Sequence, residues 1–450
     1  MKKIMLMVFL AFVLIAGMVL YCLWDVKKGG PDETVPPWLG LSVKKHDGIG
    51  ISIGSGYITI VKENGELWIW GVDKNSSESD ARSEDAWKLT DNVAKAIPLA
   101  PWSNSEDYPL LGILYKNGSF WIWNIAVERN ALEQLRLLHF MPSPEKIMSG
   151  VSDISVTNKS FYALKTNHSL WGIGVKIGAN HESPYGNVLT TSKKYGDINA
   201  FWVNPTGNSQ VYMLTKDCDL LGFGENEQGQ LGVGFKGGDS DSVYLSAPRK
   251  VTDSISSVIT MRDNAEFYMR TMAIKEDNSL WLWGYDIFFS FPSNRHLLAV
   301  PVKVMDNAAS GAMSSNHALI VKQDGSLWAW GFNKYGQLGT GNYKDVAEPV
   351  KVMDDIISVY AGFDYSIALQ KDGTLWAWGN NEFGQLGTGD TVGRTDPVEI
   401  MKDVTKFEMY SYCNVAVKDD GSVWLWGNPA NTHGYVNDED YIHKPVCILR

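Results

Sequence analysis

A tryptophan-centred string that returns at near-constant spacing constrains this chain more than any other feature. Residues 326–341 read SLWAWGFNKYGQLGTG and residues 374–389 read TLWAWGNNEFGQLGTG, so Trp328 and Trp376 stand 48 residues apart. The same anchor position recurs at Trp424 downstream and at Trp281, Leu221, Trp171, Trp121 and Trp68 upstream. That makes eight copies, separated by 53, 50, 50, 60, 47, 48 and 48 residues. A period of about fifty residues belongs to propeller blades and not to helical solenoids.

Each unit has one internal grammar, clearest over 349–389. PVKVM, IISVYAG, YSIALQ and TLWAWG are four short strands, with Lys371-Asp372-Gly373 as a turn before the last; together they make one antiparallel blade opened by its Pro-Val strand. Asn-Gly or Asp-Gly stands at that turn in five units, ending on Gly65, Gly118, Gly325, Gly373 and Gly421, the choice of a two-residue hairpin that needs positive φ. Asn278, His168 and Cys218 hold the glycine position in the other three, and Cys218 suits it least. In Leu327-Trp328-Ala329-Trp330 the tryptophans share one strand face and the aliphatics the other. Both faces therefore need cover, as when blades pack on one another. The expected fold is an all-β propeller over 40–450, built of eight four-stranded antiparallel blades. The first unit lacks a clear Pro-Val strand, and the chain ends on a spare one, Pro445-Val446-Cys447-Ile448-Leu449. The tail 445–449 is accordingly expected to complete blade 1 and close the ring, leaving no open edge.

After the last strand of the unit, three copies carry a glycine-rich run: NEQGQLGVG at 226–234, NKYGQLGTG at 333–341 and NEFGQLGTG at 381–389. The combination of DG-x-LWAWG, N-x-x-GQLG-x-G and a following Pro-Val strand resembles the repeat of the regulator of chromosome condensation family. The likeness is strong over 319–397, good from 210 to the C-terminus and skeletal before that. It implies a β-propeller, commonly of seven blades, and the chain is expected to be a bacterial member. The family includes both a nuclear nucleotide-exchange factor and a secreted inhibitor of β-lactamases, so the resemblance implies a fold without an activity.

Upstream of the repeats, Met1-Lys2-Lys3 precedes an uncharged run over 4–24, ended by Asp25, Lys27 and Lys28. Twenty-one such residues suffice for a membrane-spanning helix, and the bulky Tyr21 before Cys22 suits neither lipid attachment nor peptidase cleavage. We read 1–28 as an uncleaved signal anchor, with secretion after cleavage as the alternative, and 29–39 as a linker. Positive charge ahead of the span places the repeats outside the cytoplasm. Cys218, Cys413 and Cys447 are an odd number without metal-ligand spacing, and read as separate thiols rather than a metal site.

A net charge of −11 removes the electrostatic attraction on which nucleic-acid binding relies. The letters of Gly232-x-Gly234-x-x-Gly237 match a dinucleotide motif, but no helix follows, and Asp239 with Asp241 lacks a carboxylate-closed calcium loop. His168 and His317 fall at repeat positions and read as structural. No catalytic constellation, cofactor motif or metal set emerges, so the expected function is a monomeric, membrane-anchored scaffold that binds another protein. A cell-wall glycan-binding module and, by family analogy alone, a guanine-nucleotide exchange-type regulator are the alternatives. Contacts are expected from segments that depart from the repeat. Residues 126–140 place Val127, Ala131, Leu135 and Leu138 at helical spacing and read as a short helix. Residues 285–291 read YDIFFSF, and Ile287, Phe288, Phe289 and Phe291, with Arg295 nearby, are the candidate partner-binding residues.

Overall fold

A computed structural model describes residues 49–53, 57–70, 86–99, 110–129, 136–140, 144–157, 160–176, 188–204, 210–234, 244–261, 269–286, 296–428 and 441–450. Among them the strands form eight antiparallel sheets. The blades span 50–90, 93–148, 151–195, 198–253, 255–305, 308–353, 356–401 and 404–449, so eight, and not seven, is the count. First strands of successive blades lie side by side, and that of blade 8, Val404–Tyr410, returns to that of blade 1, Gly50–Ile53. No helix among the described residues is long and apolar enough to cross a membrane, and the expected span at 4–24 lies outside them.

The phase of the repeat differs from the sequence reading. In blade 7 the order is Ile356–Ala361, Tyr365–Gln370, Leu375–Gly379 and Arg394–Met401. The Pro-Val strand is thus the fourth and outermost of its own blade, not the first of the next. Proline explains the placement: it has no N–H to give to a ladder and is tolerated at an edge. The tail follows the same rule, since Ile442–Leu449 pairs with Val423–Gly427 inside blade 8 and does not complete blade 1. Blade 1 has its own fourth strand at Trp87–Thr90. The ring closes by side-chain packing, with Ile51, Ile58, Ile60 and Ala86 of blade 1 against Val415, Val417, Leu425 and Ile448 of blade 8, and by one long backbone bond, Ala86 N donating to Ile448 O (3.4 Å).

A second correction concerns 126–140. The third strand of blade 2 runs on as Phe120–Arg129 and pairs with Arg136–Phe140, placing Val127 opposite Leu138. Of the four positions only Val127 and Leu138 lie among the described residues, and they meet across a strand pair rather than along one helix face.

Two turns alternate along one face of the ring. Between second and third strands, Gly325 N–H donates to Lys322 O (2.9 Å), with only Gly325 at positive φ; the connection is one residue longer than a two-residue hairpin. His168, Cys218 and Asn278 take that left-handed conformation at φ 61°, 62° and 63°. The turns leading to the next blade carry positive φ at Asn92, Gly150, Asp197, Ser254, Asn307, Asp355 and Asp403. Backbone bonds link the two sets, as when Ile356 N donates to Gly325 O and Lys371 N to Asp355 O. The half-buried anchor tryptophans cap this face. Trp328 Nε1 donates to Ser326 Oγ (2.9 Å), whose hydroxyl donates to Asp324 (2.6 Å), and Lys322 Nζ lies 4.0 Å from the indole centroid. These bonds from Ser326 hold the Asp324 carboxyl below its usual range.

Candidate functional site

Connections between strands one and two, and between three and four, both open on the opposite face. All the sequence departures fall into these connections, including 72–85, 126–140 and 285–296. Where such a connection carries GQLG it fastens neighbouring blades. Asn333 is buried and organises its loop: Oδ1 accepts from Leu338 N (2.9 Å), and Nδ2 donates to Asn342 O (2.8 Å), Lys344 O (3.1 Å) and Thr340 Oγ1 (3.2 Å). The loop so shaped presents Gln337 O to blade 7, where Trp378 Nε1 (2.8 Å) and Ser366 Oγ (2.7 Å) both donate to it. Gly341 N then donates to Thr395 O (3.0 Å) on the outermost strand. Gly339 has φ 72°, and a Cβ there would lie 2.8 Å from Trp378 Nε1, so only glycine fits. The same latch holds blade 8, where Trp426 Nε1 (3.1 Å) and Asn414 Nδ2 (3.0 Å) donate to Gln385 O. The second tryptophan of the pair is fully buried in blades 5 to 8, at Trp283, Trp330, Trp378 and Trp426, and in blades 7 and 8 it donates to the latch of the preceding blade.

Next to the latch runs a buried polar seam made by the first residues of the second strands. Arg270 donates to Ser314 O, His317 Nε2 meets Ser366 Oγ (2.8 Å), and the Tyr365 hydroxyl donates to Ser411 O (3.0 Å). Burial, aided by the Arg270 charge, pushes the His317 imidazole down to about 3, so it is neutral at ordinary pH. His317 is structural, as its repeat position indicated. Cys218, Cys413 and Cys447 are free thiols, and burial raises Cys413 to about 12.

Between blades 6 and 7, above latch and seam, lies an open cleft of about 660 Å³. Phe332, Tyr335, Tyr343 and Phe363 supply its aromatic walls, with Asn316, Lys334, Gln337, Asp345 and Asp364 as the polar lining. Tyr343 and Phe363 are 63 % and 38 % exposed, so two aromatic rings stand open to solvent at this cleft. Asp364 is only 6 % exposed and accepts from Asn316 Nδ2 (2.8 Å) and Gln337 Nε2 (3.4 Å). Among the described residues no cluster of three or more His, Cys, Asp or Glu side chains is placed to hold a metal.

The structure therefore offers a site that the sequence reading did not name. Ile287, Phe288, Phe289, Phe291 and Arg295 lie outside the described residues. What brings the cleft together is loop geometry: Tyr335 and Tyr343 come from the GQLG loop of one blade, Phe363 and Asp364 from the first turn of the next. Comparing repeats position by position carries a signal for it, since Phe363 stands where blades 6 and 8 have Ser315 and Ser411.

Comparison with known proteins agrees with this architecture. Residues 324–369 and 372–411 match the Regulator of chromosome condensation (RCC1) repeat, and a second description of that repeat matches 309–337 and 356–385. The chain thus carries RCC1 repeats within 309–411. No curated protein sequence matches the chain. Among solved structures it is similar to human WBSCR16, with 15 % identity over 75 % of this chain and 90 % of that one, at a TM-score of 0.52. It is also similar to Prp20p from Saccharomyces cerevisiae, with 18 % identity over 86 % of each chain and a TM-score of 0.52. At such identities the likeness is one of fold.

Proposed function

We propose that this RCC1-type propeller is a protein-binding scaffold whose contact surface is the loop face, centred on the cleft between blades 6 and 7. The observation that carries the reading is the exposure of Tyr343 and Phe363 beside that cleft, on the face where every irregular connection opens. Aromatics of this kind give large contact area with little side-chain entropy to lose. Prp20p, similar in fold, was described with its binding to Gsp1p and histones, which supports binding of proteins as a use of the architecture. The proposal further has the chain act as a monomer, by binding and not by turnover, held to a membrane through 4–24 with the propeller outside the cytoplasm.

Proximity labelling from the cell surface with the full chain, repeated with a Tyr343→Ser/Phe363→Ser variant, tests the site. A folded variant should lose at least one labelled partner by tenfold or more. Retention of every partner, or saturable binding of cell-wall glycan as the only interaction, would overturn the reading. The address is tested separately: protease added to intact cells should digest the propeller, and protection from it refutes the proposed orientation.

A further inference from the structure

We propose that the outer strand of blade 3, Val188–Tyr195, is a second binding surface, which takes an extended acidic segment of a partner protein as a fifth strand of that sheet. The inference goes beyond the cleft and does not depend on it.

The outer strand of every blade ends its sheet with one row of backbone groups turned away from the ladder, a template for further pairing unless something blunts it. Blades 4 to 8 blunt it twice. Each carries a proline in that strand, Pro248, Pro301, Pro349, Pro397 or Pro445. Each also slips register in mid-strand, as between Ala377 and Gly379 in blade 7, with the same slip in the other four. In blades 1 and 2 the strand at this place is only four residues long.

Blade 3 has neither device. Its outer strand pairs through six successive positions, from Trp171 opposite Lys193 to Lys176 opposite Val188, with one register shift at the Leu170 end. Counting back two residues from the partner of the anchor position gives the proline in blades 4 to 8; in blade 3 it gives Thr191. Threonine keeps its N–H and favours strands, as do Val188 and Thr190. Among the described residues no strand pairs with the outer side of this one. At its end Tyr195 packs on Phe223 of blade 4, 6.1 Å between ring centroids, which holds the strand to the ring of blades. A smooth, regular edge of this length is what strand addition uses, with main-chain bonds supplying affinity.

Charge selects the occupant. The described residues of blade 3 carry four lysines, Lys165, Lys176, Lys193 and Lys194, and one carboxylate, Asp153. That carboxylate is taken by Lys95 of blade 2 at 2.7 Å. In a chain of net charge −11 this blade stands out as basic, and two of the lysines close the edge strand itself. An acidic segment is therefore favoured, its carboxylates lying beside Lys193 and Lys194.

Fluorescence anisotropy of the full-length chain tests this with a peptide of sequence Glu-Glu-Thr-Val-Thr-Val-Thr-Val, fluorescein-labelled at its C-terminal end. Antiparallel addition places the two glutamates at the lysine end of the strand. An analogue N-methylated through its Thr-Val core keeps the side chains, loses the backbone donors and should bind about tenfold more weakly or worse. Thr191→Pro installs what five other blades already hold at this place and should lose a similar factor. Lys193→Glu/Lys194→Glu should weaken binding about fivefold and favour a peptide with lysines in place of the glutamates. Tyr343→Ser/Phe363→Ser should leave binding unchanged. No saturable binding, equal affinity for the methylated analogue, or full binding by folded Thr191→Pro overturns the inference. Should Thr191→Pro fail to fold, the methylated analogue and the lysine reversal still decide. Loss of binding in the Tyr343/Phe363 variant moves the peptide to the cleft and also overturns it, whereas failure at the edge alone leaves the cleft reading standing. Sedimentation closes the remaining route: a dimer that Thr191→Pro dissolves gives the edge to a second copy of this chain and overturns the proposed occupant.

Discussion

The two faces of the propeller are built on opposite terms. On the turn face the blades repeat one short design, in which an Asx side chain, a left-handed residue and, in all but blade 4, an anchor tryptophan stand together, and backbone bonds pass from turn to turn. On the loop face the connections vary from GQLG latches to long departures, and only the buried latches are uniform. A face held by many shallow bonds tolerates loss of any one, whereas a face held at few buried points does not. The irregular segments gather where the fold leaves length free, which is also where contact with a partner costs the framework least.

Lesions on the two faces should therefore differ in size. The largest effect is expected from Gly339→Ala, whose Cβ has to displace Trp378 at a left-handed position. Chemical denaturation should show a loss of about 3 kcal/mol or more, and a loss under about 1 kcal/mol would mean that the latch yields easily. Next, Asn333→Ala removes one accepted and three donated bonds inside a buried loop and should cost about 2–4 kcal/mol by the same assay. Acid provides the third. His317 is held neutral with its pKa down at about 3 against the ordinary imidazole value of 6.5, so its contribution is whole above the unfolded value and is lost as pH falls from there toward 3. At pH 5 the loss relative to pH 8 should be about 2 kcal/mol, and His317→Gln should flatten that slope; an unchanged slope in the variant would refute the assignment. On the turn face, Ser326→Ala deprives Trp328 of its acceptor and should cost only about 0.5–1 kcal/mol. The smallest change is expected from Tyr343→Ser, with a melting temperature within error of the parent. A marked fall there would make Tyr343 part of the framework and erase the distinction between cleft and latch.

Much of this architecture was legible in the sequence because its strongest signals are local. The anchor spacing counted the blades, Asp-Gly and Asn-Gly marked the turns, and the GQLG runs marked loops whose glycines meet buried tryptophans. Phase was not legible from period: a repeating string has no beginning, and assigning the Pro-Val strand to a blade depends on pairing between Leu375–Gly379 and Arg394–Met401. Proline itself carried the missing cue, because it belongs at edges. The cleft escaped for a different reason. Reading function from departures directs attention to 126–140 and 285–296, while Tyr335, Tyr343, Phe363 and Asp364 lie within the two most regular units. Their meaning appears only when single positions of successive repeats are set side by side, Asp364 against Asn316 and Tyr412.

Completion of blade 8 by the chain's own tail has a consequence for how such a molecule changes size. Among the described residues each sheet is encoded by one stretch of chain, and none borrows a strand from the far end. Excising or duplicating 48 residues, the distance from Trp328 to Trp376, therefore removes or adds a whole sheet and breaks no ladder, the only adjustment being the angle between neighbours and the packing where blade 8 meets blade 1. A ring sealed by a shared strand has to keep its two ends matched through every such event. This one is free to inherit its units by the piece.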